Sequence, residues 1–151
     1  MLIWILLALI IVMILLVRMA PSDANQRHVD PETVEKTTKP NKFLMRDGQD
    51  MNGLVFDMSP ADLSAKFDEM ALSQPKVTVL AGSAAQGHVT YVQRTNLMAY
   101  PDYISVKITA EEGGTSRLTL YSRSRFGQSD LGVNKARVKA WTAALGPAVA
   151  R

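Results

Sequence analysis

The chain has 151 residues, which is enough for one domain with short appendages. It contains no cysteine, which excludes disulfides, thiolate chemistry, cysteine-ligated zinc and a lipid attached through cysteine. The net charge of +3 is unevenly distributed, because residues 117–151 carry seven Lys and Arg against one acid whereas residues 18–116 carry ten against thirteen. A basic final quarter suits anionic lipid headgroups or an acidic protein, and so modest a charge is not typical of a nucleic-acid-binding protein.

The N-terminus is a run of sixteen apolar residues, Leu2 to Val17. A helix of that length covers about 25 Å, close to the ~30 Å hydrocarbon core of a bilayer, and Arg18 can reach the headgroups. A cleaved signal peptide is the alternative, but no basic side chain precedes the run, and Pro21 follows the small residue at its end, Ala20. The sequence therefore predicts an uncleaved transmembrane anchor over residues 1–20.

The rest of the chain divides into three parts by composition. Residues 21–42 contain prolines, mixed charges and little apolar periodicity, which is typical of a polar tether. Residues 43–147 are predicted to form the folded domain, and residues 148–151 form a short tail.

Two helices and four strands are predicted within the domain. The stretch SPADLSAKFDEMALS is a helix with Ser59 as N-cap and Pro60 at the first helical position. Four runs rich in β-branched residues then predict strands: KVTVLAG, HVTYVQR, YISVKIT and TSRLTLYSRSR, with EEGG as the hairpin turn before the last. The stretch NKARVKAWTAALG predicts a final helix with Asn134 as N-cap and Gly146 at its end.

The order α-β-β-β-β-α predicts an α+β domain of two layers, in which two helices cover one face of a four-stranded antiparallel sheet. The other face is then open and basic. We predict that an anionic ligand or acidic partner binds there, at Lys107, Arg117, Tyr121, Arg123, Arg125 and Arg137. The alternative is a charged sheet face that is only solvated.

A turn rich in small polar residues joins the last strand to the last helix. Its members are Gly127, Ser129, Asp130, Gly132 and Asn134. The free N–H groups at the start of a helix can hold an anion. Alternatively, Asp130 accepts these N–H groups or pairs with a nearby arginine, and this structural role is the one we favour.

No motif for catalysis or metal binding is complete. His28 and His88 are sixty residues apart, and both are expected to be exposed. Residues 48–59 lack the acidic first and last ligands of a calcium loop. Residues 127–134 have the glycine spacing of a phosphate-binding loop without its Lys and Ser/Thr. We therefore predict no catalytic residue, no metal and no cofactor.

One longer pattern is specific. The run Ser124-Arg125-x-Gly127-x-Ser129-Asp130-x-Gly132-x-Asn134-x-x-Arg137-Val138 resembles the signature of domain-of-unknown-function family 1499 (DUF1499). Asp102 is similar to an aspartate that precedes a hydrophobic strand in that family, and the likeness covers roughly residues 41–145. The chain resembles the membrane-anchored alphaproteobacterial members. The resemblance implies a small domain on the periplasmic or lumenal side of a membrane, and it implies no activity.

The side of the membrane follows from two opposed signals. Arg18, Arg27 and Lys36 follow the anchor, which favours a cytoplasmic domain by the positive-inside rule. The resemblance favours the periplasmic side, and we predict a single-pass protein of the bacterial inner membrane with its domain in the periplasm.

The predicted function is a non-enzymatic, membrane-anchored module that docks an acidic protein or an anionic lipid or envelope ligand, as an accessory part of a membrane complex. The alternative is an enzyme that acts on an anionic envelope metabolite and clamps it with arginines. A pocket that joins the arginines to Asp102, Asp130 or His88 would favour the enzyme, whereas a flat basic face would favour docking.

Overall fold

The computed structural model describes residues 1–35, 37–96 and 98–150. Lys36, which was counted among the charges after the anchor, lies outside the described residues, as do Leu97 and the tail residue Arg151. The described part consists of an N-terminal apolar helix followed by a domain of mixed helix and antiparallel sheet, with six strands and four helices in total.

The N-terminal helix α1 spans Leu2–Met19, and none of its residues is buried. Its mean hydropathy is 3.0, and among the described helices it alone has the length and composition to cross a membrane. A signal sequence has the same two properties, so the anchor stays a prediction at this point. A short helix, α2, follows at Ala24–Arg27.

The sheet has six strands, not the predicted four. They are β1 Lys42–Met45, β2 Leu54–Phe56, β3 Val77–Ser83, β4 His88–Arg94, β5 Pro101–Ala110 and β6 Ser116–Ser124. The order is β1-β6-β5-β4-β3, with β2 also paired to β6, and every pair is antiparallel. The two strands that the sequence did not predict have four and three residues, which is too short for an alternating pattern. They form because β6 offers them an edge with free hydrogen-bonding groups.

The two predicted helices pack on one face of this sheet. They are α3, Pro60–Leu72, and α4, Val133–Ala144. The predicted cap of α3 is confirmed, because Ser59 Oγ accepts a hydrogen bond from the Asp62 N–H at 3.2 Å. Phe67 of α3 and Trp141 of α4 meet over the sheet with ring centroids 6.0 Å apart, in the hydrophobic core.

The start of α4 differs from the prediction. Asn134 is the second residue of the helix, and Gly132, with φ of 83°, occupies the N-cap position. The carboxylate of Asp130 does the capping, since it accepts hydrogen bonds from the N–H groups of Gly132 at 3.0 Å and Asn134 at 2.7 Å. The predicted N-cap is wrong because the chain enters the helix through a left-handed residue, a conformation that glycine adopts without steric cost.

The second face of the sheet is covered, and the prediction that it is open is wrong. Residues 21–35, which were predicted as part of a tether, lie against it, and we call them the covering segment. Ser22 Oγ and Tyr103 Oη are 3.0 Å apart, and Arg46 Nη1 donates hydrogen bonds to the carbonyl oxygens of Pro31, Glu32 and Val34. These contacts use polar side chains and backbone carbonyls instead of an apolar stripe, so no periodicity in the sequence predicts them.

Candidate functional site: a cationic pocket

Three of the six predicted anion-binding residues form ion pairs with acids: Lys107, Arg117 and Arg137. Lys107 Nζ lies 3.2 Å from Asp30 Oδ2, on the segment that covers the sheet. Arg117 pairs with Asp47 at 2.7 Å and also with Glu111. These acids neutralise Lys107 and Arg117, which lie apart from the pocket described below.

A third predicted residue, Arg137, belongs to the helix-covered face. Its Nη2 donates to Asp102 Oδ2 at 2.6 Å, and the two side chains are only 7% and 3% exposed. The same guanidinium donates to Gln93, Ser122 and Asn134 at 2.7, 3.0 and 2.7 Å. This buried network fastens α4 to β4, β5 and β6, and it joins two residues of the family-like pattern.

The remaining three, Tyr121, Arg123 and Arg125, meet at one pocket of about 300 Å³ between β6 and the segment after α2. Its charged lining residues are Arg27, Glu35, Lys39, Lys42, Arg123 and Arg125. Five of these six are basic and one is acidic, so the described lining carries a large excess of positive charge. We call it the cationic pocket.

Arg123 is the most buried of these cations. It is 7% exposed, and the expectation that it lies on an open face is wrong because the chain near Arg27 crosses over it. Its guanidinium donates hydrogen bonds to Ser105 Oγ at 3.1 Å, to the Tyr121 carbonyl at 3.3 Å and to the Arg27 carbonyl. It also lies over the rings of Tyr121 and Tyr103, 4.8 and 5.6 Å from their centroids.

No described carboxylate forms an ion pair with Arg123. Burial, together with the smaller effect of the nearby Arg27, lowers the pKa of its guanidinium to about 10. At neutral pH the group is therefore still charged, inside the protein and without a counter-ion. A buried charge in this state costs free energy that an anion would recover.

The other cations of the pocket repel one another. Arg27 lies over the Tyr103 ring at 5.2 Å, and Arg125 Nη1 donates to the Pro21 carbonyl at 2.7 Å. Burial lowers the pKa of Lys42, and the charges of Lys39, Arg123 and Arg27 lower it further. Burial and the neighbouring cations thus disfavour the positive charge of Lys42, which an anion in the pocket would stabilise.

The pocket also contains an unused acceptor. Asn41 is 3% exposed, and its Nδ2 donates to the Gly127 carbonyl at 2.7 Å. Its Oδ1 has no hydrogen-bond partner among the described residues. This oxygen is thus an unsatisfied buried polar group in a residue that lines the pocket, a state that folded proteins rarely keep.

The predicted turn residues form a hydrogen-bonded network among themselves. Ser129 Oγ accepts from the Leu131 N–H at 3.2 Å, and Asn134 Nδ2 donates to Asp130 Oδ2 at 2.6 Å. Asn134 Oδ1 in turn accepts from Ser122 Oγ at 2.7 Å. The Asp130 carboxylate thus takes the place that an anion would occupy at the start of α4.

The two histidines, expected to be exposed and separate, are stacked against each other. Their ring centroids are 3.9 Å apart with an angle of 22° between the planes. His28 Nδ1 and Thr90 Oγ1 lie 2.9 Å apart, and His88 Nε2 donates to the Val29 carbonyl at 3.1 Å. The prediction is wrong because the covering segment brings residue 28 onto β4.

Among the pocket residues that attract or orient an anion, sequence reasoning missed Arg27, Lys39, Asn41 and Lys42. All lie in the segment that composition assigned to a tether, where charged side chains are ordinary. A signal existed only in the family-like pattern, which includes Arg125 and Gly127 of the opposite wall.

The fold and the site define a class of small α+β domain, preceded by an apolar helix, in which an N-terminal segment closes a cationic pocket on the sheet. The family model "Protein of unknown function (DUF1499)" matches residues 25–145, which is most of the chain, and the chain belongs to this family. The match begins inside the covering segment, in agreement with its packing on the sheet. No significant match was found among curated proteins.

Proposed function

We propose that this protein is a single-pass membrane protein whose domain binds a small, multiply charged oxyanion, of the phosphate type, in the cationic pocket. The group belongs to an anionic lipid or another envelope ligand, and the domain faces the periplasm of a bacterial inner membrane. Binding, not catalysis, is the role assigned to the pocket.

The observation that carries the proposal is the burial of Arg123 without an acidic partner. Buried arginines are normally paired, because an isolated buried charge is costly. Here the charge lies at a pocket with four more cations and one acid. A bidentate guanidinium matches the geometry of phosphate and carboxylate oxygens, which are the groups that such a lining attracts.

The size of the pocket favours a small anionic group over a broad acidic protein face. About 300 Å³ accommodates a headgroup or a metabolite, whereas the wide basic sheet face that protein docking requires is covered by residues 21–35. The residues that the enzyme hypothesis requires, Asp102, Asp130 and His88, do not line the pocket. Asp102 and Asp130 are instead bound to Arg137 and to the start of α4.

The test uses the full-length protein in detergent micelles and measures Tm by differential scanning fluorimetry. Inorganic phosphate and glycerol 3-phosphate are titrated against sodium chloride at equal ionic strength. We expect a saturable rise in Tm with both phosphates and none with chloride, because a ligand of the folded state stabilises it by mass action.

Lys42→Gln and Lys139→Gln form a matched pair for this assay. Lys42 lines the pocket, and Lys139 is exposed on α4 outside it. We expect Lys42→Gln to weaken the phosphate response at least several-fold, while Lys139→Gln keeps it. Equal responses of the two variants, or a response that chloride reproduces, would show that the pocket does not bind the anion.

A further inference from the structure

A second surface lies at the end of the sheet where α1 leaves the domain. Arg94 pairs with Pro101 and Asp102 with Ser124, so β4 ends, β5 begins and β6 ends side by side. The described loop residues 95–96 and 98–100 and the turn 125–132 therefore lie at this same end, which we call the anchor end.

The end of α1 is bound to this part of the domain. Arg94 Nη1 donates to the Arg18 carbonyl at 3.2 Å, and Arg125 Nη1 donates to the Pro21 carbonyl at 2.7 Å. Only a few residues thus separate the apolar helix from the anchor end. If α1 crosses a bilayer, the lipid headgroups lie directly against this end.

The turn at the anchor end exposes a strained apolar residue. Leu131 is 95% exposed, and its φ of 52° lies in the left-handed region, which side-chain-bearing residues rarely adopt. Isolated exposed leucines are common, but this one also has a costly backbone conformation that Gly or Asn would relieve. Neither the exposure of Leu131 nor its left-handed backbone stabilises the described domain.

Apolar side chains continue from Leu131 along the same end. Tyr100, Phe126 and Val133 line a shallow pocket of about 180 Å³. The Tyr100 and Phe126 rings are 5.6 Å apart, and Val133 is 47% exposed. Aromatic rings beside exposed aliphatic groups are typical of protein surfaces at the bilayer interface.

The charges at this end are complementary to anionic headgroups. Arg94, Arg125 and the exposed Lys76 at the start of β3 supply positive charge. Of the described acids near this end, Asp102 pairs with Arg137, Asp130 accepts from the N–H groups of Gly132 and Asn134, and the exposed Asp23 accepts from the Asn25 N–H. The outward charge of the anchor end is therefore positive.

We infer that the anchor end is a membrane-docking surface, on which Leu131 inserts into the bilayer that α1 crosses while Arg94, Arg125 and Lys76 lie at its anionic headgroups. The occupant is the lipid surface itself. The inference rests on the proposed membrane anchor but not on the anion pocket. It gives the domain a fixed orientation on the membrane in place of free motion on a tether.

The absence of cysteine allows single labels on the full-length chain. Leu131→Cys and Glu112→Cys carry the same environment-sensitive fluorophore in vesicles of zwitterionic lipid with or without an anionic lipid. Glu112 is exposed in the turn between β5 and β6, at the opposite end of the sheet. We expect the label at position 131 to be quenched at least threefold more by nitroxide lipids, and less by aqueous iodide, than the label at 112.

Anionic lipid should increase this difference. Equal accessibility of the two labels to iodide, in vesicles that retain both variants, would overturn the docking inference and leave the anchor intact. If nitroxide quenching at position 131 is the same with and without anionic lipid, Arg94, Arg125 and Lys76 do not bind the headgroups, and that part of the inference is wrong. Failure of both variants to float with the vesicles would contradict the anchor, and the inference would fall with it.

Discussion

The chemistry of Arg123 and of His28 depends on how residues 21–35 pack on the sheet. The alternation along β6 places Arg123 on the face away from the helices, where an exposed arginine would titrate normally and affect stability little. The covering segment instead buries it, and the pKa of its guanidinium falls to about 10. The same segment carries His28 onto the sheet, where it meets His88.

Stability should fall as the pH drops below neutrality because of His28. Burial, and secondarily the charge of His88, lowers the pKa of His28 from its usual 6.5. The unfolded chain therefore takes up a proton at a pH where the folded protein still disfavours it. We expect the contribution of His28 to the free energy of unfolding to be constant above about pH 6.5. It should fall as the pH drops from there towards the pKa of His28 in the folded protein.

Urea unfolding at pH 7.5, 6.5 and 5.5 measures this effect. The variant His28→Gln should lose part of the decline, because the group that protonates is gone. The explanation fails if the variant shows the same pH dependence as the wild type. Asp30, which faces His28 and raises its pKa, opposes the effect of His88 in the wild-type protein.

At the scale of secondary-structure elements, α4 is held by polar contacts as well as by its apolar stripe. Val138, Trp141 and Leu145 are buried in the core, as the helical spacing predicts. The ion pair of Arg137 with Asp102 fixes how the helix lies across β5. Such a pair specifies one arrangement of helix and sheet, which an apolar stripe alone does less strictly.

Asp102→Asn should destabilise the protein by about 3–5 kcal/mol, because it leaves the buried Arg137 without a counter-ion. The double variant Asp102→Leu with Arg137→Met should lose less, since it removes both charges. Chemical unfolding of the purified variants measures the difference. Glu69→Gln, at an exposed position of α3, serves as the control and should change stability by no more than about 0.5 kcal/mol. A small effect of the single change would mean that the pair is not needed.

A glycine allows β3 to pass beneath the histidine pair. Gly82 follows an irregularity in the pairing of β3 with β4, and a Cβ there would lie 2.0 Å from the His88 carbonyl oxygen and 3.0 Å from His28 Cε1. Gly48 has nearly the same backbone conformation, with φ of 75° against 76°, and nothing lies within 4 Å of its Cβ position. Substitutions at these two glycines therefore separate the free-energy cost of a left-handed backbone from the cost of a steric clash.

Gly48→Ala should therefore lose only about 1 kcal/mol, the cost of a left-handed alanine. Gly82→Ala should lose roughly 1–3 kcal/mol more, because the added methyl must displace backbone. Thermal unfolding of both variants provides the comparison. Equal losses would show that β3 shifts away without cost.

At the scale of the whole molecule, the covering segment connects α1 to the domain. It is bound along its length, from Pro21 at Arg125 to Val34 at Arg46. The domain therefore lies close to the end of α1, and a predicted spacer of residues 21–42 overstates their separation.

A fusion of alkaline phosphatase after Arg151 should be active and should stay in the membrane fraction at full length after a carbonate wash. This result follows from the proposed topology, in which α1 spans the bilayer and the domain lies on the periplasmic side, where the phosphatase forms its disulfides. Activity and size on a denaturing gel are the two measurements.

Two other outcomes are informative. A product shortened by about twenty residues and released by carbonate would show that residues 1–20 are a cleaved signal peptide. An inactive fusion together with an active cytoplasmic fluorescent reporter would show that Arg18 and Arg27 retain the domain in the cytoplasm, as the positive-inside rule favours.

The elements that the sequence determined by itself are those whose signals are local. Ser59 and Pro60 mark the start of α3 within two residues, and strand β4 is predicted with its observed bounds because β-branched residues lie between turn residues. The small polar residues at 127–134 likewise predict a turn with structural hydrogen bonds, and Asp130 forms them. In each case the residues that interact are close in the sequence, so their order along the chain carries the information.

Only the tertiary structure determines which residues form the cationic pocket. Arg27 and Arg123 are 96 residues apart and meet through a backbone carbonyl, a group that every residue carries and that leaves no pattern in the sequence. The missing counter-ion of Arg123 is a property of burial, which follows from the packing of residues 21–35 on the sheet. The sequence shows which residues are basic. Because desolvation and charge repulsion depend on distances across the fold, only the packing determines that five of them lie together with a single acid, Glu35.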